Sequence, residues 1–185
     1  MRLIELFIPI IPTNVKQVSF KTARRIIKEY HYLKYVPPGC KFCLGIFAKH
    51  YLAGVMIFGH PIARLEDQNN TLELTRMFLY DSPKNSESRA LGLAEKWIKQ
   101  HRSETRIIAY TDTQQGHTGM IYLAANWTKI GIVPIGSWSN RKNRRGKIGG
   151  DKIKFERILR KKKPRALYNI YRQTEIICDQ GVEIL

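Results

Sequence analysis

The sequence is short of three things: acidic residues, cysteine and long apolar runs. Its 185 residues include only 15 Asp and Glu against 32 Lys and Arg, a formal net charge of +17. Three cysteines are too few and too unevenly placed for a disulfide framework, which favours a reducing compartment. The apolar stretch Leu3–Ile11 contains Glu5 and runs into Pro12, so it has neither the layout of a signal peptide nor the length of a membrane span. These shortages argue against secreted disulfide scaffolds and membrane-spanning proteins, and they predict an intracellular location.

The residues that are present suit one domain of ordinary size. Hydrophobic residues make up 43% of the chain and aromatic residues 10%, which is enough to bury a core. Strand-like and helix-like segments alternate, and this order predicts an α/β fold in which helices cover both faces of a mixed sheet, with parallel pairing late in the chain. We expect residues 1–140 to form this domain and residues 141–185 to form a basic C-terminal extension packed on it.

The spacing of the apolar residues predicts six strands and three helices. The second and third strands form a hairpin, and the six fall at residues 2–10, 40–48, 52–58, 72–79, 107–110 and 127–135. The first helix follows Ser19, a residue type that favours the N-cap, and the second begins between Pro83 and Ser86. The third begins at Gly116 and turns four residues inward: Met120, Ile121, Ala124 and Ala125.

Positive charge is concentrated in the first helix and in the C-terminal quarter of the chain. Residues 141–165 contain 13 Lys and Arg against two Asp and Glu. Such patches attract polyanions by releasing condensed counterions, a sequence-independent effect that favours nucleic acid. We therefore predict double-stranded DNA as a partner, with a solvated face that only aids solubility as the alternative. The predicted DNA-binding residues are Arg24, Arg25, Lys28, Arg141, Lys142, Arg144, Arg145 and Lys147.

The motif Arg89-x-x-Gly92-x-Ala94 follows a predicted strand and lies at the start of a helix. Free backbone N–H groups at a helix N-terminus favour an anion, and small residues allow its close approach. The spacing resembles the pyrophosphate-binding loop of the GNAT acyltransferases. This resemblance implies that Arg89, Gly92 and Ala94 bind an acyl donor such as acyl-CoA. Ordinary helix packing is the alternative for such common residue types.

Polar residues crowd the segment Tyr110–Gly119, where a buried strand ends and a helix is predicted to follow. Ligands of open α/β sheets collect at the carboxyl ends of strands, which makes Asp112 a candidate catalytic carboxylate. Its alternative role is to cap the next helix. His117 is also a candidate site residue in this segment, and its alternative role is structural.

Five motifs stand in order over roughly residues 21–131. They are His31-Tyr32-Leu33 with Pro38-Gly39, Phe58-Gly59-His60-Pro61, Glu73-Leu74-Thr75-Arg76, Glu87-Ser88-Arg89-Ala90-Leu91-Gly92, and Asp112-x-x-Gln115-Gly116-His117-x-Gly119-x-x-Tyr122. Together they resemble the Mom family of phage proteins, which implies a GNAT-like fold. The resemblance further implies conversion of adenine in DNA to its carbamoylmethyl derivative on the exocyclic amine, which protects phage DNA from restriction. The location implied is the cytoplasm of a phage-infected or prophage-bearing bacterium.

By matching positions, the resemblance implies a catalytic set of seven residues. Asp112 acts as base or orients the adenine amine, Tyr122 acts as acid at the leaving group, and Tyr32 stacks on the flipped base. Glu73 and Arg76 lie on opposite faces of a regular strand, so both can reach one pocket only if the strand bulges. Each role has a structural alternative. The tyrosines could pack in the core, Glu73 and Arg76 could form an ion pair on the strand, and Ser88 could cap a helix. The remaining members of the set are His31 and Ser88.

The product implied by the resemblance is an alkylamine rather than an ordinary amide, and simple acetyl transfer does not form it. A glycyl group on the adenine nitrogen does form it, if the glycyl amine attacks the ring carbon and a five-membered spiro intermediate opens to the carbamoylmethyl form. Glycyl-tRNA is therefore the favoured donor, with acyl-CoA as the alternative. On this route tRNA is a second nucleic-acid partner.

Two other functions fit the sequence: a GNAT acyltransferase that uses acyl-CoA on a protein or small amine, and a non-enzymatic DNA-binding module. A membrane surface is disfavoured as a partner because several glycines and Pro164 interrupt the basic segment. No metal is predicted at Cys40 and Cys43, because no second pair exists and residues three apart on a strand point to opposite faces. A metal held by His31 and carboxylates is left open.

Overall fold

The computed structural model describes residues 11–36, 39–134 and 151–159. In these ranges the strands of one mixed sheet are β1 (Asn14–Val18), β2 (Phe42–Ala48), β3 (Tyr51–Gly59), β4 (Thr71–Leu79), β5 (Arg106–Asp112), β6 (Thr128–Val133) and β7 (Lys152–Ile158). Their order across the sheet is β1-β2-β3-β4-β5-β7-β6. The helices are α1 (Phe20–Tyr30), α2 (Ser86–His101), α3 (Met120–Ala124) and a 3-10 turn at Thr113–Gln115.

Helix α1 begins where the sequence predicts. The backbone of Ser19 is extended, and its hydroxyl accepts a hydrogen bond from the backbone N–H of Thr22 at 3.1 Å, which confirms the predicted N-cap. Ala23, Ile26 and Ile27 are buried. One face of the helix therefore packs on the sheet, and the opposite face carries the basic residues.

The predicted hairpin is also confirmed, since β2 and β3 pair in antiparallel register. Strand β1 pairs with the other edge of β2, again antiparallel, and was not predicted. The strand predicted at residues 2–10 lies outside the described residues.

Within the described part of the sheet, parallel pairing is confined to β4 and β5. Helix α2 connects them and buries Ala90, Leu91 and Ile98. The prediction of parallel strands late in the chain is right for this pair and wrong for β6. Strand β7 lies between β5 and β6 and pairs with both in antiparallel register.

Strand β7 comes from the segment that the sequence assigned to the basic extension. Ile153 and Phe155 alternate with charged residues there, and Phe155 is fully buried. This period of two is typical of a strand, but the high charge of the segment obscured it. Part of the basic segment is therefore built into the sheet, while residues 135–150 and 160–185 lie outside the described ranges.

Helix α3 starts later than predicted. It begins at Met120, because the glycine at its N-cap has a left-handed backbone that separates the helix from the preceding 3-10 turn. The predicted inward set is right for Ile121 and Ala125, which pack partly against the core, and wrong for Met120 and Ala124, which are exposed. Tyr122 takes the buried position instead.

Helices cover both faces of the sheet, as predicted. The core beneath α1 includes Ile27 and Ile57, and the core beneath α2 and α3 includes Leu91 and Phe155. We refer to these as the α1 face and the α2 face. None of the helices in the described ranges is long and apolar enough to cross a membrane.

Candidate active site

Strands β4 and β5 separate partway along their length. Their parallel pairing ends where Leu74 lies opposite Ala109, yet β4 continues to Leu79 and β5 to Asp112. Beyond this point the two strands are not paired with each other, so their carboxyl ends diverge from the shared ladder. Ligands of α/β sheets bind at such positions. We refer to this feature as the β4–β5 gap.

A β-bulge in β4 brings two charged residues to one face of the strand. Arg76 and Leu74 pair with consecutive residues of β3, so Thr75 between them is an extra residue. The extra residue changes the alternation of side chains, and Glu73 and Arg76 then share a face. This is the bulge that the sequence required if both were to reach one pocket, and the two side chains do interact electrostatically.

Glu73 is a buried carboxylate, only 5% exposed. Its Oε2 accepts a hydrogen bond from the backbone N–H of Ile62 at 2.8 Å. Burial raises the pKa of Glu73, while this hydrogen bond and the nearby Lys152 and Arg76 oppose the rise. The carboxylate therefore anchors the loop between β3 and β4 and lies close to Arg76.

The guanidinium of Arg76 is fixed by backbone carbonyls. Its Nε donates a hydrogen bond to the carbonyl oxygen of Tyr35 at 2.9 Å, and its Nη1 donates to that of Thr75. Burial lowers the pKa of Arg76, and Tyr32, Tyr35 and Glu73 oppose the change. Because an arginine begins from so high a pKa, it stays charged and supplies a cation to the cluster.

Three aromatic rings are in contact at the C-terminal end of α1, one pair stacked and the other tilted. The rings of His31 and Tyr32 are stacked with centroids 4.5 Å apart, and the ring of His117 lies 5.2 Å from that of Tyr32. Tyr32 is 44% exposed, so part of its ring is open to a ligand. Burial raises the pKa of Tyr32, and the carboxylate of Asp112 adds to the rise.

His31 is neutral and has one favoured tautomer. Its pKa is lowered to about 4, chiefly by burial and also by the nearby Arg76 and His117. Its Nδ1 accepts a hydrogen bond from the backbone N–H of Leu33 at 3.1 Å, so the ring proton is on Nε2. His31 can therefore donate a hydrogen bond from Nε2, and it is not placed to act as a base there.

The lowered pKa of His31 makes stability depend on pH in a definite direction. From pH 6.5 down to about 4, the unfolded chain binds a proton at His31 that the folded chain does not bind, so the free energy of unfolding falls as the pH falls. We expect the melting temperature of the wild type to drop more across this window than that of His31→Gln, because the amide does not titrate. Equal drops in the two proteins, measured by thermal unfolding, would contradict this role of His31.

Asp112 ends β5 and caps the turn that follows. Its Oδ1 accepts a hydrogen bond from the backbone N–H of Gln114 at 3.0 Å. The capping role considered from the sequence is thus present. It does not remove the carboxylate from the neighbourhood of Tyr32, whose pKa it influences.

Tyr122 enters the cluster from the α2 face. It is 7% exposed, its ring stacks on that of Phe155 at 5.0 Å, and the ring of Trp127 lies 5.1 Å away. The indole N–H of Trp127 donates a hydrogen bond to Glu95 at 2.7 Å, which fixes this neighbour. Burial raises the pKa of Tyr122, with a further contribution from Tyr32, so its phenol stays protonated.

The structure brings together six of the seven predicted catalytic residues. They are joined by ring contacts or electrostatic interactions, and they are His31, Tyr32, Glu73, Arg76, Asp112 and Tyr122. Ser88 has no such link among the described residues. Its hydroxyl donates a hydrogen bond to the carbonyl oxygen of Asn85 at 3.0 Å, in the first turn of α2.

The three residues predicted to bind the donor lie along α2. The Nε of Arg89 donates a hydrogen bond to the carbonyl oxygen of Pro12 at 2.7 Å, which ties the helix to the segment before β1. Ala94 is buried in the core of the α2 face, whereas a side chain built at Gly92 would meet no atom within 4 Å. Gly92 is thus the position of the motif with free space beside its backbone. Donor binding by these residues stays a prediction.

A stripe of exposed basic residues runs along α1. It consists of Lys21, Arg24, Arg25 and Lys28, which line a surface groove together with Phe20 and Glu29. At about 1.5 Å per residue the stripe is about 10 Å long, and it ends about one turn before His31. We refer to it as the α1 stripe. The other five predicted DNA-binding residues lie outside the described residues: Arg141, Lys142, Arg144, Arg145 and Lys147.

Cys40 and Cys43 are free thiols with sulfur atoms 3.9 Å apart. The prediction that they point to opposite faces of a strand is wrong, because Cys40 precedes β2. In the part of the chain that the structure describes, no three His, Cys, Asp or Glu side chains form a group that could hold a metal ion.

Two residues of the cluster were absent from the predicted catalytic set. His117 contacts Tyr32, and its place in the fifth motif was the signal that could have included it. Tyr110 lies two residues before Asp112, and burial raises its pKa to about 12, with Glu73 and Glu66 adding to the rise. Tyr110 begins the polar segment Tyr110–Gly119, but nothing in that segment singled it out, because its environment depends on pairing between distant strands.

Comparison with known proteins places the chain in a family. A sequence model of the Mom protein family matches residues 12–163. The methylcarbamoylase mom of Escherichia phage Mu is 34% identical over 128 residues, which cover 64% of this chain and 53% of the phage protein. The chain therefore spans about half the length of this curated relative.

Solved structures with a similar fold are acetyltransferases. One from Bacillus subtilis, in complex with CoA, is 15% identical with a TM-score of 0.50, and the match covers 79% of this chain and 98% of that one. Another, from Salmonella typhimurium, modifies the N-terminal serine of ribosomal protein L7/L12; it is 12% identical with a TM-score of 0.50, covering 76% and 71%. These likenesses confirm the predicted GNAT-like fold. Since the family model matches most of the residues, the chain belongs to the Mom protein family.

Proposed function

We propose that this protein modifies DNA by building a carbamoylmethyl group on the exocyclic amine of adenine. The observation that carries the proposal is the position of Tyr32, which is 44% exposed, contacts the rings of His31 and His117, and interacts electrostatically with Asp112 and Tyr122. The methylcarbamoylase activity in the name of the phage Mu relative supports this choice of transferred group.

Tyr32 is suited to hold an adenine that has left the duplex. In a duplex the adenine amine is base-paired and the ring is stacked between its neighbours, so an enzyme that does chemistry on this amine flips the base into a pocket. Stacking of a base on an aromatic ring contributes about 1–3 kcal/mol, which offsets part of the unstacking cost. The ring of Tyr32 is rigidly supported by His31 on one side and is 44% exposed.

The neighbouring groups can carry out the proton transfers. The adenine amine is a poor nucleophile because its lone pair is delocalised into the ring, so it needs a base as the new bond forms. Asp112 is the carboxylate beside Tyr32 and takes this role. Tyr122 keeps its proton and acts as the acid, and the Nε2–H of His31 donates a hydrogen bond to the oxyanion that develops.

A glycyl ester of tRNA accounts for the product in two steps. First the adenine nitrogen attacks the glycyl carbonyl carbon; the ester bond breaks, Asp112 takes the amine proton, and Tyr122 gives a proton to the leaving tRNA oxygen. The glycyl amine then attacks the ring carbon that bears the new amide and forms a five-membered spiro ring. Cleavage of the original bond from that carbon to nitrogen opens the ring, and this nitrogen becomes the amide of the carbamoylmethyl group.

Mass spectrometry of nucleosides tests the function directly. The chain is expressed in bacterial cells, their DNA is digested, and deoxyadenosine is compared with that of cells carrying an empty vector. We expect a deoxyadenosine that bears a carbamoylmethyl group on its exocyclic nitrogen. Unmodified deoxyadenosine in cells that contain folded protein would refute the proposed function.

A second experiment tests the donor separately. Purified protein is incubated with DNA and glycyl-tRNA that carries isotopically labelled glycine, and the label is followed into deoxyadenosine. Modified DNA that contains no label would exclude glycyl-tRNA. Binding of acyl-CoA, measured by calorimetry, would then become the alternative to pursue.

The α1 stripe leads toward the candidate site and is proposed to hold the DNA backbone. Replacing Arg24, Arg25 and Lys28 together by glutamine is expected to weaken DNA binding uniformly across sequences. The slope of log affinity against log salt changes by about 0.9 for each phosphate contact that is lost. The slope of the triple variant should therefore be less steep by about two to three. Fluorescence anisotropy with a labelled duplex at several salt concentrations measures both effects.

A matched control removes the same charge elsewhere. Lys84, Lys96 and Lys99 lie on or just before α2, which packs on the opposite face of the sheet. Their triple replacement by glutamine should leave the salt slope within one unit of the wild type. Equal slopes for the two triple variants would show that the α1 stripe does not hold DNA.

A further inference from the structure

Thr111 lies beside the β4–β5 gap with a buried hydroxyl that has no partner. It is two residues beyond Ala109, where the pairing of β4 with β5 ends. Its side chain is 7% exposed, and within the described structure its Oγ1 makes no hydrogen bond. On the other side of β5 its backbone is opposite Ile153 of β7. The strand end is therefore paired with β7 alone, and its edge toward β4 has no strand partner in the described residues.

The strand register places Thr111 on the face that carries Tyr122. Side chains alternate along β5, so Thr111 shares a face with Ala109. Ala109 is opposite Phe155 of β7, and Tyr122 stacks on Phe155 at 5.0 Å. Thr111 is thus two residues along β5 from the position opposite Phe155, the ring on which the candidate acid Tyr122 stacks.

A buried hydroxyl without a partner is unfavourable in the free protein. Buried polar atoms nearly always have a hydrogen-bond partner, and one left unpaired costs free energy comparable to a lost hydrogen bond. Valine has the same shape as threonine and would fill this position without that penalty. A polar atom of a ligand in the gap would satisfy the hydroxyl and explain a threonine at this position.

We propose that the hydroxyl of Thr111 hydrogen-bonds the polar end of the transferred group when the donor enters the β4–β5 gap, and so selects a glycyl group over an acetyl group. The inference rests on the proposed function. The amine of a glycyl group can pair with the hydroxyl, whereas the methyl of an acetyl group leaves it unpaired. Thr111 is in this way a specificity-determining residue of the donor site.

Thr71 provides a matched control in the same sheet. It is fully buried, and its Oγ1 also has no hydrogen-bond partner in the described structure. It differs in position, because it lies at the start of β4, where that strand is paired with β5 opposite Arg106. Thr71 therefore has the same unpaired hydroxyl without an adjoining gap.

The test compares Thr111→Val, Thr111→Ser and Thr71→Val with the wild type. Each is expressed in bacterial cells, the rate at which carbamoylmethyl-deoxyadenosine accumulates is followed by mass spectrometry, and the melting temperature of the purified protein is measured. We expect Thr111→Val to lower the rate about tenfold, since one hydrogen bond to the donor is lost, without lowering the melting temperature. Thr111→Ser and Thr71→Val should both keep the wild-type rate within about twofold.

Each other outcome overturns the inference in a recognisable way. A Thr111→Val protein with the wild-type rate leaves the proposed function standing and removes the role of the hydroxyl. A lower melting temperature for Thr111→Val shows that the hydroxyl is paired in the free protein. An equal loss of rate in Thr71→Val shows a general effect of the substitution, and a wild type that makes no modified deoxyadenosine ends both proposals.

Discussion

The substitution Asp112→Asn is expected to lower the rate of DNA modification by about 10²–10⁴ while leaving the fold and DNA binding intact. The amide cannot take the proton that the adenine amine loses. Its side-chain oxygen can still accept the hydrogen bond from Gln114 that now measures 3.0 Å, so the turn after β5 keeps its cap. Nucleoside mass spectrometry gives the rate, and anisotropy with a labelled duplex gives the affinity for DNA.

The same change at Asp67 is a matched control. This carboxylate also caps a turn, accepting hydrogen bonds from the backbone N–H groups of Asn69 and Asn70 at 3.0 and 3.1 Å, and it lies in the exposed loop before β4. Asp67→Asn removes an equal charge and should keep the wild-type rate. If Asp112→Asn modifies DNA as fast as Asp67→Asn does, the base is another residue. If neither variant nor the wild type modifies DNA but all bind it, the protein is a binding module.

Local signals explain why much of the fold could be predicted. The hydroxyl of Ser19 caps α1, and the apolar strands β2 and β3 are joined by a short turn, so both features depend on residues close together in the sequence. Strand β7 depends on residues far apart, since it enters the sheet between β5 and β6. Its charge pointed to a basic extension packed on the domain, and nothing local revealed the strands that bury Phe155.

In the candidate site, too, some properties could be predicted from local sequence and others depend on the folded sheet. The motifs predicted the members of the cluster, and the requirement for a bulge between Glu73 and Arg76 followed from the alternation of a strand. The tautomer and the hydrogen-bonding partners of each group could not be predicted. The tautomer of His31 depends on the backbone of Leu33, and the unpaired hydroxyl of Thr111 depends on where β4 and β5 separate. These properties arise only after the sheet has formed.

The substitution Gly119→Ala is expected to destabilise the protein strongly. Gly119 has a φ of +77°, a conformation that costs an alanine about 1–2 kcal/mol. A β-carbon there would also lie 2.3 Å from Cζ of Phe155, a fully buried ring. Displacing that ring adds a packing cost of about 1–3 kcal/mol, so we expect the free energy of unfolding to fall by about 2–5 kcal/mol in all. Since Tyr122 stacks on Phe155, the rate of DNA modification should fall as well.

Gly116→Ala separates the backbone effect from the packing effect. Gly116 has a φ of +72°, almost the same as that of Gly119, but a β-carbon there would meet no atom within 4 Å. It should therefore lower the free energy of unfolding by only about 1–2 kcal/mol and leave the rate of modification unchanged. Chemical denaturation of both variants measures the difference. If the two lose equal stability, the close packing of Gly119 on Phe155 contributes nothing, and the support of Tyr122 by that ring must be reconsidered.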